Sequence, residues 1–144
     1  MTAKIEGFHH VKFPVRDLTR SREWYERVLG LHVTHEFPDD DGVVRGVGGT
    51  VDGVPVALRV QERAAEGLAG FDPVCFSIAD RAAAEAWIAR LDELGVEHQP
   101  LFEATTGWMV RFNDPDGTEI RLYSLTKDGG ADRTGEPGYA QRVG

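Results

Sequence analysis

The clearest pattern in the chain lies in residues 11–30. Apolar side chains alternate at Val11, Phe13 and Val15, the period-2 signature of a strand with one buried face. Asp17 follows, and its carboxylate can accept from the free amides of a helix's first turn. Leu18, Ser21, Tyr25, Val28 and Leu29 then recur at helical spacing, and Gly30 is a natural stop. The same phrase returns downstream. Val74, Phe76, Ile78 and Asp80 each stand 63 residues after their counterparts, and Ala84, Trp87, Ile88 and Leu91 continue as a helical stripe ended by Gly95. An internal repeat of this size sets the architecture before any single element does.

Between these phrases the pattern predicts strands over 31–37, 43–47 and 55–60, with the glycine-rich run 48–53 as the joint between the last two. Residues 63–72 read as an exposed connector. The second half predicts strands over 74–78, 96–102, 108–113 and 118–124, a helix over 81–94, and a turn at Asp114-Pro115-Asp116-Gly117. The halves also match at their ends: Asp52-Gly53-x-x-Val56-x-Leu58 parallels Asp116-Gly117-x-x-Ile120-x-Leu122, offset by 64. Each half is therefore β-α-β-β-β, with module one at 8–62 and module two at 72–125. Neither buries both faces of its sheet alone, so the two are expected to pair in one domain, 1–126. Residues 127–144 are rich in glycine and charge and read as a flexible tail.

Composition narrows the function classes. The net charge of −8 argues against nucleic acid or an anionic membrane as partner, since both recruit a basic face. The single cysteine, Cys75, excludes an intrachain disulfide. No apolar run approaches membrane-spanning length and Met1–Gly7 has no signal-peptide core, so a cytoplasmic location is expected.

His10-Val11, Val15-x-Asp17-Leu18, Trp24-Tyr25, Leu29-Gly30 and Asp114-Pro115-Asp116-Gly117, set on this repeat, resemble the vicinal oxygen chelate superfamily. That group includes glyoxalase I, extradiol dioxygenases, fosfomycin-resistance enzymes and bleomycin-resistance proteins. The resemblance covers about residues 8–124. It implies an α+β fold of two paired βαβββ modules, mixed sheets curled around a central cavity with helices outside, and a homodimer. It also implies metal-ligand positions at His10, Ala57, Pro73 and Arg121. Only His10 among these can ligate a metal: alanine and proline have no donor, and arginine stays cationic. The expectation is therefore no metal and no other cofactor.

Strand parity assigns the rest of the candidate site. Val11, Phe13 and Val15 are needed under the helix, which turns His10, Lys12 and Pro14 to the other face; Ala57, Arg59 and Gln61 share it, as do Glu119, Arg121 and Tyr123. If the family architecture holds, that face is concave. Lys12, Arg59 and Arg121 then suit an anion, with Cys75, Trp108 and Tyr123 as walls. His9 falls on the opposite face from His10, and His32, His35 and His98 have no assignable partners. Arg121 is either the main anchor or an internal partner of Glu119. The reading is a metal-free small-molecule-binding protein of the resistance or sequestration kind, with an anionic or carbonyl-rich aromatic ligand. The alternative is an enzyme, a lyase, isomerase or dioxygenase, metal-free with His10 or Glu119 as base, or with rearranged metal ligands.

Overall fold

The structure, a computed structural model, describes residues 2–104, 106–124, 137 and 141–144. The expected tail lies outside the described residues except for 137 and 141–144. The chain divides into two compact units, residues 1–69 with the turn 114–117, and residues 70–113 with 118–144.

The first unit holds β1 (Val11–Val15), α1 (Leu18–Leu29), β2 (His32–Pro38), β3 (Val44–Val51), β4 (Val54–Val60) and the short helix α2 (Glu62–Leu68). Its sheet runs β1-β4-β3-β2, with β1 parallel to β4 and the other pairs antiparallel. Phe13, Val15, Val47, Val56 and Leu58 form the buried face of the sheet, and Tyr25, Val28 and Leu29 of α1 are buried with them. The Phe13 and Tyr25 rings meet at 5.4 Å between centroids.

The second unit holds β5 (Cys75–Ile78), α3 (Arg81–Glu93), β6 (Phe102–Glu103), β7 (Trp108–Asn113) and β8 (Glu119–Ser124), in the order β5-β8-β7-β6. Its core is Val110, Phe112, Ile120 and Leu122 with Ala84 and Leu91 of α3. The repeat extends to the ladder register. Lys12 pairs with Ala57 in one sheet, and their counterparts Cys75 and Arg121 pair in the other. Both helices start on the aspartate of the repeated phrase: Asp17 accepts from the amide of Arg20, and Asp80 from that of Ala83. Among the described residues the fold is thus α+β, two four-stranded mixed sheets with three helices, neither sheet closed into a barrel.

Three expectations need correction. The glycines at 48 and 49 lie inside β3, and the reversal is a two-residue turn at Asp52-Gly53, both with positive φ (47° and 83°), the conformation that matches the twist of a hairpin. The connector 63–72 contains most of α2; Glu62-Arg63-Ala64-Ala65-Glu66 are good helix formers, and the helix buries only Ala65, too little to leave an apolar stripe in the sequence. The strand expected at 96–102 shrinks to β6 and an isolated bridge between His98 and Phe112, because Pro100 has no amide for the ladder.

The turn 114–117 is anchored inside the first unit. Tyr25 donates its hydroxyl to Asp114 Oδ2 at 2.7 Å, both groups buried. Burial first, then the Asp114 charge, hold the phenol well above its ordinary pKa, so it stays a donor. Arg20 donates to the Pro115 carbonyl oxygen, and Arg16 reaches Asp116 at 3.8 Å.

Candidate functional site

The open face of the first sheet carries a pocket of about 420 Å³. Two ladder rows cross it. Lys12, Ala57, Gly48 and His35 form one row over the four strands, and Pro14, Arg59, Gly46 and Phe37 form the next. Small residues on the central strands make a floor, and longer side chains on β1, β2 and β4 rise around it. Among the described residues five basic side chains line the pocket, His9, His10, Lys12, His35 and Arg59, and no aspartate or glutamate does. Among the described residues neither Lys12 nor Arg59 pairs with a carboxylate.

His9 joins His10 here, because β1 starts only at Val11 and strand parity does not govern the residues before it. The two rings meet Nδ1 to Nδ1 at 2.8 Å, so one nitrogen donates and the other accepts. His35 reaches the pocket through an irregularity in β2. Val33 pairs with Gly49 and His35 with the adjacent Gly48, which leaves Thr34 as an extra residue, a β-bulge. The bulge inverts the alternation, so His35 and Phe37 take the open face that strict parity from Leu31 and Val33 assigns to the core. Phe37 is 49% exposed as a result.

In the second unit the structure brings Cys75, Glu119, Arg121 and Tyr123 to one sheet. Arg121 is enclosed by acids, Nη2 at 3.2 Å from Glu119 and Nη1 at 3.4 Å from Asp72. Partial burial pushes the Cys75 thiol up, against the lowering effect of Arg121 and with Asp72 adding to the rise; this is not an activated thiolate. The Tyr123 hydroxyl is held by Thr106, 2.8 Å from its Oγ1. Trp108 is on the other face. It is buried with Val110 and Phe112, and the Arg81 guanidinium of α3 lies 4.4 Å from its ring centroid, so the expected wall residue is a core residue. Arg111, absent from the sequence reading, faces Arg121 across β7–β8 and stacks over Phe102 at 4.9 Å.

A family model described as the Glyoxalase/Bleomycin resistance protein/Dioxygenase superfamily matches residues 7–122. The chain belongs to this superfamily. Among solved structures, a glyoxylase/bleomycin resistance protein/dioxygenase domain from Frankia sp. EAN1pec is 24% identical with a TM-score of 0.67, covering 85% of this chain and 99% of that one. A fosfomycin resistance protein FosX from Mesorhizobium loti is 26% identical, TM-score 0.65, covering 85% and 95%. A lactoylglutathione lyase from Agrobacterium tumefaciens is 18% identical, TM-score 0.66, covering 85% and 96%. A search of curated proteins gave no match.

The metal positions implied by superfamily membership do not fit a metal in this chain. Ala57 is a methyl on the pocket floor, Pro73 has no donor, and Arg121 is a cation already enclosed by Glu119 and Asp72. Among the described residues no group of three or more His, Cys, Asp or Glu is placed to hold an ion, fewer than the three donors an octahedral or facial-triad site needs.

Proposed function

We propose that this superfamily member is a small-molecule-binding protein of the resistance or sequestration type that works without a metal, and that its ligand is an anionic or carbonyl-rich aromatic. The observation that carries this reading is the pocket of the first unit, lined among the described residues by five basic side chains and no acid. Lys12 and Arg59 supply charge-assisted donors to a carboxylate or similar group, and Phe37 with the glycine floor accepts a flat ring. The overall charge of −8 opposes an anion at long range. Distant carboxylates are screened beyond a Debye length of roughly 8 Å at physiological salt, whereas Lys12 and Arg59 would touch the ligand. The chain as a homodimer in the cytoplasm completes the proposal; a purely monomeric sedimentation profile at high concentration counts against the dimer.

The test is a thermal-shift panel of aromatic carboxylates, run with a chelator, without additions, and with divalent metals. Stabilisation that survives the chelator, with the ligand recovered unchanged, is expected. Stabilisation only with added metal overturns the metal-free reading. One observation favours a second reading, a metal-free lyase or isomerase: the His9–His10 hydrogen bond orients His10 as a base at the pocket. Chemical conversion of a bound ligand, lost in His10→Ala, would select it.

A further inference from the structure

The bulge in β2 delivers more than a side chain. It fixes which nitrogen of that side chain is available. The Thr34 hydroxyl is 3.3 Å from the Gly48 carbonyl oxygen, to which it can only donate, and 2.9 Å from His35 Nδ1. A hydroxyl has one proton to give. Both contacts are hydrogen bonds together only when Nδ1 carries the imidazole proton and donates to Thr34 Oγ1. In the neutral imidazole Nε2, the far nitrogen of a ring that lines the pocket, then bears a lone pair. Lys12 and Arg59 beside it are donors without acceptor capacity, and in the neutral His9–His10 pair the ring whose Nδ1 donates likewise keeps a lone pair on Nε2. Phe37 lies beside His35 with ring planes 16° apart and centroids at 6.4 Å, flanking the same floor.

We infer that His35 presents an unprotonated Nε2 to the pocket as a hydrogen-bond acceptor, so that among planar anions the site selects those that also carry an N–H or O–H donor. The inference rests on the anion-binding reading above and adds to it a residue and a ligand feature. Donors on the protein hold the ligand's acid, and the His35 acceptor reads the ligand's donor. A ligand lacking that donor leaves Nε2 desolvated and unpaired, which is the stronger source of discrimination.

Two nearly isosteric bicyclic acids test it, indole-3-carboxylate with a ring N–H and benzothiophene-3-carboxylate without one, titrated at pH 8 into the full chain. The wild type is expected to favour the indole acid by roughly tenfold, the ratio one hydrogen bond supports. In His35→Phe the ratio falls to about one, and His35→Gln, which keeps an acceptor, retains part of the preference. Nitrogen-15 spectra of the wild-type imidazoles supply a readout that needs no ligand: His35 is expected as the Nδ1–H tautomer, and Thr34→Val is expected to release it. Equal binding of the two acids by wild type overturns the selection alone. A preference unchanged in His35→Phe, or an Nε2–H tautomer, also overturns it. Binding of neither acid overturns the anion reading and this selection together.

Discussion

Arg121 shows how far a single residue's role depends on its neighbours. It lies on the face of its sheet opposite buried Ile120 and Leu122, as parity expects, and its sequence neighbour Glu119 is visible as a partner. Asp72, far off in sequence, is not, and it occupies the other terminal nitrogen. A guanidinium with two carboxylates in contact has little left for a ligand anion, and removing it leaves two acids close together. Arg121→Ala is therefore expected to lower the melting temperature by a few degrees, a loss of about 1–2 kcal/mol for a domain of this size, and to leave carboxylate affinity unchanged. Paired melting and titration of that variant checks this; lost affinity with unchanged melting would return Arg121 to the binding site. Lys12 and Arg59 have the opposite character, charged and facing a pocket that no acid among the described residues lines.

Among the elements, β2 departs most from its sequence pattern, and the departure is what equips the pocket. Period-2 reading assumes an unbroken ladder, and a bulge reverses every assignment after it. The signal that could have located it is Gly48-Gly49. At Gly49 a Cβ would sit 1.9 Å from the His32 carbonyl oxygen, so β2 approaches β3 too closely for any side chain there. At Gly48 it would meet only the edge of the Phe37 ring, at 3.3 Å. Gly49→Ala is expected to cost roughly 2–3 kcal/mol of stability through backbone displacement and to weaken carboxylate binding by moving His35, whereas Gly48→Ala costs less. Denaturant titration of the pair measures the difference, and equal costs would contradict the close approach. In the second unit, His98 ties the end of α3 to the segment leading into β6. Its Nδ1 lies 2.7 Å from the Gln99 carbonyl oxygen and its Nε2 2.6 Å from Asp92. These acceptors, Gln99 first, raise its pKa above the ordinary 6.5. A raised folded pKa contributes stability that is fully present below about pH 6.5 and is lost as pH rises through the folded value. His98→Gln is expected to flatten the decline in melting temperature over that window; an unchanged slope would contradict the assignment.

At the scale of the whole molecule, the internal repeat was the most legible feature. Its 63- and 64-residue offsets anticipated the aspartate caps of α1 and α3 and the two-sheet α+β architecture, and the same offsets relate the ladder registers of the two sheets. Of the side chains assigned by parity, Lys12, Ala57 and Arg59 line the pocket of the first unit, while Arg121 and Tyr123 lie on the sheet of the second. Parity failed at Trp108, which begins a strand whose buried positions were not tied to a helix in the sequence, and at His9, His35 and Phe37, where pairing irregularities decide orientation. Arg111 was missed because its partner, Phe102, lies on a two-residue strand that leaves no pattern. The central claim is that the cationic pocket of the first unit holds anions without a metal. Its most direct measurement is calorimetric titration of indole-3-carboxylate into chelator-treated protein, wild type against the Lys12→Ala/Arg59→Ala double variant. Saturable one-site binding to wild type, weakened at least about tenfold in the variant, is the predicted result. Binding that appears only after a divalent metal is restored, or that the double variant leaves untouched, would contradict the account.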